Sequence, residues 1–482
     1  NQETAAFLEE NIKNSHMKEY EKKMVDLLLE AIDQNYINED TIGQFTYEYL
    51  AALLRTTMLL ENGKDFYLQI KSYLEQINLT RIRKQEKIVV GFIVNYSSTW
   101  IGDELYNLLD NSERFEPYIF LMANYIGLDE RMVREEYEKN LAFFQKKRLR
   151  IVGTLNLEDG RLYTWEEIGF RPEICIWTTP WMGLFHSDYR LEKYPLSVLH
   201  TYIPYGYLLA ENKNATFVYD QYNQLIHNVA WKIFECTAMD VKMAHKYSFI
   251  GDASACYTGY PKMDKFYQYE KNGEDIWEKV EKKSGKKKAK RIIYAPHHSI
   301  EDEGTVIFST FQYNYNFMLE LAQKYENETI WILKPHPQLK YKAIRAGIFE
   351  NEEEWEKYIN SWKSLKNAYV MEKGDYKDLF LYSDAMILDS ISFLAEYLYA
   401  DKPGLFLCRP EQYFNDIGQG IKGVYYLADG KSKEEIRKFV ADIVIGQRDY
   451  KHKERQELFK ENMDYVNMTG KTAAENIYNK LK

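Results

Sequence analysis

Residues 291–300 read RIIYAPHHSI, and this segment decides how the second half of the chain is interpreted. Residues that suit a buried strand end at Pro296, and two adjacent histidines follow at once. Residues 329–337, TIWILKPHP, repeat the scheme with a single histidine, His336. Short apolar runs without alternating polar residues are typical of strands that are covered on both faces in a parallel sheet.

Similar apolar runs recur through both halves of the chain, separated by segments with helical spacing. From Lys87 onward the runs are KIVVGFIV, EPYIFLM, LRIVGTL, PEICIWTT and LSVLHTYI, and from Arg291 onward they are RIIYAP, TIWILKP, NAYVMEK, DAMILDS, PGLFLC and GVYYLA. Two strand–helix arrays in tandem predict a two-domain α/β protein in which each domain is doubly wound. Such sheets bind ligands beyond the carboxyl ends of their strands.

The bulk composition excludes several classes of function. A chain of 482 residues suggests two or three domains, and a net charge of −10 argues against a general nucleic-acid binder. No apolar run approaches the ~18 residues that a membrane span needs. The cysteines fit no metal or redox spacing and are typical of reduced thiols in a cytosolic protein. These cysteines are Cys175, Cys236, Cys256 and Cys408.

Residues 1–85 carry no strand pattern. EYEKKMVDLLLEAIDQNY and IGQFTYEYLAALLRTTMLLENG place apolar residues three and four apart, which predicts amphipathic helices that pack or form an oligomer contact. The first residues, NQETAAFLEENIKN, carry no secretion signal or initiator Met, so the sequence is expected to be either a trimmed form of the protein or the downstream part of a longer polypeptide. The basic segment 277–291, WEKVEKKSGKKKAKR, predicts a solvated loop or, as an alternative, a patch for anionic lipid.

Three predicted strand ends in the second half carry polar side chains, which should meet at one cleft. The side chains are His297, His298, His336, Asp389, Ser390 and Ser392. Asp389 or Ser390 can cap the following helix, whose free amides favour a diphosphate. Ser392 and Glu396 share a helix face, so Glu396 would hold a ribose. The alternatives are an ordinary capped helix with a solvated Glu, and a simple turn at KPHP.

These motifs resemble the C-terminal domain of the CDP-glycerol glycerophosphotransferases, which synthesise teichoic-acid and capsule-type polymers. The matching segments, in order, are RIIYAPHHS, WILKPHP, YSDAMILDSISFLAEY and DKPGLFL. CYTGYPKMDKF, from Cys256, resembles the family's Gly-x-Pro-Arg-x-Asp segment. The resemblance covers residues 250–445, extends weakly to 88–245, and implies a GT-B fold with two facing Rossmann-like domains.

The chain departs from the family pattern in two places. The family's Trp-His-Gly segment, whose His acts as a base, corresponds to LHTYIPYGYLL, with Tyr202 near the Trp position and Ile203 near the His position. His200 is the nearest histidine and becomes the candidate base from the N-terminal domain. The family's Asp-Tyr-Ser-Ser run is LDSIS here, with Ile391 between two serines.

The resemblance implies that an acceptor hydroxyl attacks the β-phosphorus of CDP-glycerol or CDP-ribitol and that CMP leaves. The catalytic candidates are His336, His298 and His200, and the donor-binding candidates are His297, Ser299, Lys334, Asp389, Ser390, Ser392 and Glu396. The acids at 301–303 are expected to raise the pKa of an imidazole, which suits a phosphate contact by His298 and leaves the direct role to His336. No metal or cofactor is expected, because the strand ends carry no Asp-x-Asp.

The expected domains are a helical segment at 1–85, an acceptor domain at 86–248, a donor domain at 249–450 and helices at 451–482 that return to the N-terminal domain. The expected partners are a CDP-activated donor and a polymer or lipid-linked acceptor, with a homo-oligomer through the N-terminal helices as a further prediction. The expected location is the cytoplasm or the inner face of the membrane. Two alternative functions stay open: a GT-B glycosyltransferase that uses a sugar nucleotide, and a non-catalytic domain of a larger polymer-synthesis protein.

Overall fold

The computed structural model describes residues 19–124, 129–268, 275–301, 307–372 and 374–482. The chain divides into two compact units, each built around one parallel sheet. Unit 1 comprises Asn1–Gly206, Tyr219–Pro261 and Thr469–Lys482, and unit 2 comprises Tyr207–Val218 and Lys262–Met468.

Unit 1 contains a seven-stranded sheet with the order β3-β2-β1-β4-β5-β6-β7. The strands are β1 Ile88–Val94, β2 Phe115–Leu121, β3 Ile151–Gly153, β4 Ile174–Trp177, β5 Leu199–Tyr202, β6 Lys232–Glu235 and β7 Ala255–Tyr257. β1 pairs with both β2 and β4. The strand order therefore runs outward from β1 in both directions, so the direction in which successive strands are added to the sheet reverses at β1.

Unit 2 contains a six-stranded sheet with the order β10-β9-β8-β11-β12-β13. The strands are β8 Lys290–Ala295, β9 Thr329–Leu333, β10 Ala368–Val370, β11 Ala385–Leu388, β12 Gly404–Cys408 and β13 Tyr426–Asp429. Both sheets share the doubly wound strand order, so the predicted pair of Rossmann-like α/β domains is confirmed. In unit 2, β8 lies between β9 and β11, which brings three of the predicted polar loops to adjacent strand ends.

Helices connect the strands of both sheets. In chain order they are α1 Glu19–Asp33, α2 Tyr47–Thr57, α3 Gly63–Arg83, α4 Asp103–Asp110, α5 Glu130–Lys146, α6 Trp165–Ile168, α7 Phe217–Tyr222, α8 Leu225–Val229, α9 Ala238–Tyr247, α10 Ile276–Ser284, α11 Phe311–Lys324, α12 Leu339–Arg345, α13 Glu352–Ser364, α14 Lys377–Leu381, α15 Ile391–Glu396, α16 Asp416–Gly423, α17 Lys433–Lys438, α18 His452–Asn462, α19 Tyr465–Thr469 and α20 Ala473–Leu481. None of the helices in the described ranges is long and apolar enough to cross a membrane.

The N-terminal helices belong to the core of unit 1. Val25, Leu53 and Tyr67, from α1, α2 and α3, lie in one apolar cluster with Trp177 of β4. The hydroxyl of Tyr47 donates to the carbonyl of Val198 at 2.7 Å. The amphipathic pattern therefore reflects packing against the sheet, and the predicted oligomer contact stays a prediction. The part of this prediction that concerns residues 1–18 lies outside the described residues.

The units do not divide the chain where the sequence analysis placed its boundaries. The predicted boundary at 249 precedes β7, which pairs with β6 in the unit 1 sheet. Of the segment 451–482, Thr469–Lys482 groups with unit 1, and α20 contacts α4 there, whereas residues 451–468 group with unit 2. β7 was not predicted because it has only three residues, all partly exposed.

Candidate active site

Three histidines of unit 2 lie together at the carboxyl ends of two neighbouring strands. His297 and His298 follow β8, and His336 follows β9, which pairs with β8. The rings of His298 and His336 are stacked with centroids 4.0 Å apart, and the His297 centroid lies 4.3 Å from His298 and 5.4 Å from His336. The strand ends thus bring these three imidazoles into one group, the histidine cluster.

Backbone donors fix the tautomers of two of these rings. The Nδ1 atom of His336 accepts the backbone N–H of Gln338 at 3.2 Å. The Nδ1 atom of His297 accepts the backbone N–H of Ser299 at 3.3 Å and lies 2.7 Å from the Ser299 hydroxyl. An N–H group only donates, so we assign the proton of each neutral ring to Nε2. His298 differs, because its Nδ1 atom is buried without a hydrogen-bond partner in the described part of the chain.

Burial keeps the histidine cluster neutral at pH 7. Removal from water lowers the pKa of His298 to about 4 and that of His336 to about 3, and it lowers the pKa of His297 well below its usual value. The expectation that nearby acids raise an imidazole pKa is therefore wrong, because Glu301 is exposed and desolvation dominates. Residues 302 and 303, the other two acids, lie outside the described residues.

Asp389 connects two loops at the end of β11. Its Oδ1 atom accepts the backbone N–H of His297 at 2.6 Å, and Oδ2 accepts the backbone N–H and the hydroxyl of Thr310 at 2.5 and 2.8 Å. Burial raises the pKa of this carboxyl to about 6, against the opposing effect of its donors. Asp389 is 1% exposed and holds the histidine loop in position, and its predicted contact with a donor substrate stays a prediction.

Ser390 and Ser392 mark the start of α15. Ser390 occupies the N-cap position without a side-chain capping bond, and Asp389 bonds elsewhere, so the expectation that one of them caps the helix is wrong. Ser392 is exposed in the first turn. The first N–H groups of a helix have no intrahelical acceptors, so this end of α15 can receive an anion.

Lys334 directly follows β9, where its backbone N–H donates to the carbonyl of Tyr294 at 2.8 Å. The residue is 8% exposed, and burial lowers the pKa of its ammonium group. It lies close enough to His336 for its charge to contribute to the lowered pKa of that ring. No carboxylate pairs with Lys334 in the described ranges, so a buried cation beside the histidine cluster is available to an anion.

A metal ion is another group that three histidines can hold. One nitrogen can be chosen from each ring of the cluster so that the three atoms lie within 4.8 Å of one another. Metal-bound histidines donate their second ring N–H to an acceptor, whereas His297 and His336 use Nδ1 to accept backbone N–H groups. The donor set therefore fits an anion, contacted by Nε2–H groups and Lys334, better than a cation.

Residues 213–481, more than half of the chain, match the family described as CDP-glycerol:poly(glycerophosphate) glycerophosphotransferase. The chain belongs to this family. The predicted family and the predicted class of enzyme, a CDP-glycerol-type phosphotransferase, are thereby confirmed. No curated protein sequence matches this glycerophosphotransferase.

Solved structures share the fold of the glycerophosphotransferase at low sequence identity. The wall teichoic acid polymerase TagF has a TM-score of 0.50 and 12% identity over 97% of this chain and 100% of its own. The S. aureus MnaA–UDP co-structure has a TM-score of 0.50 and 15% identity over 83% of this chain and 96% of its own. UDP-GlcNAc 2-epimerase from Neisseria meningitidis bound to UDP-GlcNAc has a TM-score of 0.50 and 15% identity over 82% of this chain and 99% of its own. The predicted GT-B-like fold is confirmed.

In this glycerophosphotransferase, Glu396 has two side-chain partners that the sequence analysis did not select. Lys262 donates from Nζ to Oε1 at 3.0 Å, and the hydroxyl of Tyr376 donates to Oε2 at 2.5 Å. Glu396 is 2% exposed, and Ser392 at the same helix face is exposed. Lys262 belongs to the segment that resembles Gly-x-Pro-Arg-x-Asp, which was the available signal. Tyr376 carried no signal, because it follows no strand and belongs to no quoted motif.

His200, the candidate base from the N-terminal half, lies in the core of unit 1. It is 0% exposed within β5, and its Nδ1 atom accepts the indole N–H of Trp177 at 2.8 Å. The rings of Tyr47 and Tyr194 lie 4.5 and 5.1 Å from its ring. Burial lowers the pKa of this imidazole to about 3. The prediction that His200 takes a proton from an acceptor is therefore corrected, because the ring is enclosed by aromatic side chains.

Proposed function

We propose that this glycerophosphotransferase moves glycerol phosphate from CDP-glycerol to a hydroxyl of a teichoic-acid or capsule-type acceptor and releases CMP. The observation that carries the proposal is the histidine cluster with Lys334, at the carboxyl ends of β8 and β9. Such strand ends are where a doubly wound sheet binds its ligand.

The diphosphate of the donor is proposed to lie against the cluster. The Nε2–H groups of His297 and His336 are fixed donors, because their Nδ1 atoms accept backbone N–H groups. Lys334 supplies a positive charge without a counter-ion in the described ranges, and it is largely removed from water. Preorganised donors in a site of low dielectric stabilise the charge that develops on phosphoryl oxygens.

His298 is proposed as the base, which exchanges the roles that the sequence analysis gave to His298 and His336. A base needs a lone pair that the substrate can reach. His298 is partly exposed, and no backbone N–H of the described ranges donates to its ring, unlike the rings of His297 and His336. As the acceptor oxygen bonds to the β-phosphorus, its proton passes to the His298 imidazole, and the bond from phosphorus to CMP breaks with its electron pair on CMP. The pKa of about 4 in the free enzyme rises when the anionic donor is bound, since opposite charge favours imidazolium.

The nucleotide end of the donor is proposed at the start of α15, with its diphosphate near Ser390 and Ser392 and its ribose near Glu396. Both oxygens of Glu396 already accept a bond from Lys262 or Tyr376. A carboxylate oxygen has a second lone pair, so a ribose hydroxyl can still donate to it. Ser299, whose hydroxyl bonds to His297, is proposed to orient that ring.

The acceptor is proposed to be a polymer or a lipid-linked chain at the inner face of the membrane, and self-association through the N-terminal helices stays a prediction. CMP release would be measured with CDP-glycerol, CDP-ribitol and UDP-sugars and a short glycerol-phosphate acceptor. We expect turnover with CDP-glycerol. Turnover with UDP-sugars alone would establish the alternative glycosyltransferase, and nucleotide binding without turnover of any donor would establish the non-catalytic alternative.

A further inference from the structure

The amino-terminal edge of the unit 2 sheet carries a concentration of lysines. The surface, which we call the lysine edge, consists of Lys282, Lys283, Lys286, Lys287, Lys288, Lys290, Lys363 and Lys366. It includes the end of α10, the turn that leads into β8, and the end of α13. Nothing in the reaction at the opposite edge of the sheet uses these residues.

Three of these lysines hold the surface together. Lys283 donates from Nζ to the backbone carbonyls of Lys363 and Ala368 at 2.8 and 3.0 Å, which joins the end of α10 to the end of α13. Lys286 donates to the side chain of Asn327 at 2.7 Å, and Lys290 lies 3.5 Å from Asp384. Residues far apart in sequence therefore form one surface.

The other five lysines are exposed and have no carboxylate partner within the described ranges. They are Lys282, Lys287, Lys288, Lys363 and Lys366. The exposed acids Glu326 and Glu328 lie in the turn before β9, and Glu281 is paired with Arg291 at 2.6 Å. The edge is thus a local excess of positive charge on a chain whose net charge is −10.

We propose that the lysine edge binds the surface of an anionic lipid bilayer. The free ammonium groups lie on helix ends and a turn, where compact point charges suit a field of headgroups and supply no fixed pairing geometry. Each lysine near such a surface raises affinity by about fivefold. The attraction is electrostatic, so it should weaken as salt shortens the Debye length.

The position of the lysine edge also determines how the histidine cluster is oriented relative to a bound bilayer. β8 has six residues from Lys290 to Ala295, and the histidines follow it. At about 3.3 Å per residue, the histidine cluster lies roughly 20 Å from the lysine edge. A bilayer bound at this edge leaves the cluster open to the growing end of a lipid-linked acceptor. This consequence rests on the proposed function, whereas vesicle binding is measured without turnover, so each can fail separately.

The test is sedimentation with phosphatidylcholine vesicles that contain or lack phosphatidylglycerol, at low and high NaCl. The variant combines Lys282→Gln, Lys287→Gln and Lys288→Gln, and the control combines Lys139→Gln, Lys453→Gln and Lys480→Gln, which removes the same charge from exposed positions elsewhere. We expect the wild type and the control to bind anionic vesicles at low salt, and the lysine-edge variant to bind on the order of 100-fold more weakly.

Turnover of the variant with a short, water-soluble acceptor should equal that of the wild type, because the substituted lysines lie at the opposite edge of the sheet. Equal binding of variant and wild type would overturn the proposal, as would binding to neutral vesicles or binding that ignores salt. If the variant loses affinity for soluble polyphosphate but keeps its affinity for vesicles, the edge binds a polyanionic chain and the lipid assignment is wrong.

Discussion

The two units have sheets with the same winding but place their histidines differently. In unit 1, His200 lies inside β5 and is enclosed by aromatic rings. In unit 2, His298 and His336 follow β8 and β9 and are only partly buried. A histidine within a central strand therefore belongs to the packing of the core, whereas one just beyond a strand is available to a ligand.

The direction of the pKa shift does not separate the two kinds of histidine. Burial lowers the pKa of His200 and His336 to about 3 and that of His298 to about 4. An unpartnered nitrogen does not separate them either, since Nε2 of His200 and Nδ1 of His298 both lack partners among the described residues. What differs is that the His298 ring as a whole is partly exposed whereas His200 is 0% exposed, together with the neighbouring Lys334 and the free helix start in unit 2.

The largest expected effect tests the unit 2 side of this comparison. His298→Ala should lower kcat for CMP release by about 10²–10⁴-fold, because the proposed base is lost. His336→Gln should cost much less, since the glutamine amide can replace the Nε2–H donor. Thermal unfolding of both variants would control for folding. If His298→Ala keeps near wild-type turnover, His298 is not the base.

Asp389→Asn should lower turnover by about 10²-fold through a displaced histidine loop. In the variant, the NH₂ group of the asparagine faces an N–H or O–H donor of His297 or Thr310, which cannot bond to it. In the wild type, these donors lie 2.5–2.8 Å from the carboxylate oxygens of Asp389. A positioning role predicts that kcat falls and that the pH profile of the reaction changes. Asp378→Asn, a carboxylate in α14, would serve as the control. An unchanged pH profile with a loss confined to stability would indicate a purely structural role for Asp389.

The third prediction concerns unit 1. His200→Ala should lower the free energy of unfolding of unit 1 by about 3 kcal/mol, because it leaves a cavity and an unpaired Trp177 indole N–H. The turnover of the protein that remains folded should be unchanged. Denaturant unfolding and CMP release, measured on the same samples, would check both parts. A loss of turnover in fully folded protein would return His200 to the candidate bases.

Much of the fold could be predicted from the sequence, because most strands are continuous apolar runs. The exceptions are β6 and β7. β6 is Lys232–Glu235, with a charge at each end, and β7 has three residues, so neither forms a recognisable run. Grouping of the histidines was also predictable, since β8 and β9 are neighbours whose carboxyl ends meet at one edge.

The details of the site could not be predicted, because they depend on contacts between distant segments. Lys262 and Glu396 are 134 positions apart, and Asp389 bonds to Thr310 across 79. The tautomers of His297 and His336 depend on local loop geometry. The burial of His200 depends on α2, which covers that face of β5 with Tyr47. A four-residue strand has too few positions to reveal which faces are covered.

Glu396→Ala should weaken CMP binding by about 2 kcal/mol, because the ribose loses a charged partner and Lys262 loses its counter-ion. Calorimetry would measure the effect. Glu192→Ala provides a control, since this acid lies in unit 1 and should leave CMP affinity unchanged. Equal affinity of Glu396→Ala and wild type would remove Glu396 from the nucleotide site and leave the Lys262 ion pair as a structural contact.

The smallest expected effect is a pH dependence that separates His200 from exposed histidines. The unfolded chain binds a proton at His200 below about pH 6.5, whereas burial in the native state lowers the pKa to about 3. Stability from this group is therefore fully present above pH 6.5 and is lost as the pH falls toward the folded pKa. Between pH 7.5 and 5.5 the loss of folding free energy from this group is about 1.4 kcal/mol.

His200→Asn keeps an acceptor for Trp177 and removes the titration, so the stability of this variant should fall less than that of the wild type over this pH range. His186→Asn, at a partly exposed position outside this core, should follow the wild type. Parallel curves for all three proteins would show that His200 is not buried as a neutral ring.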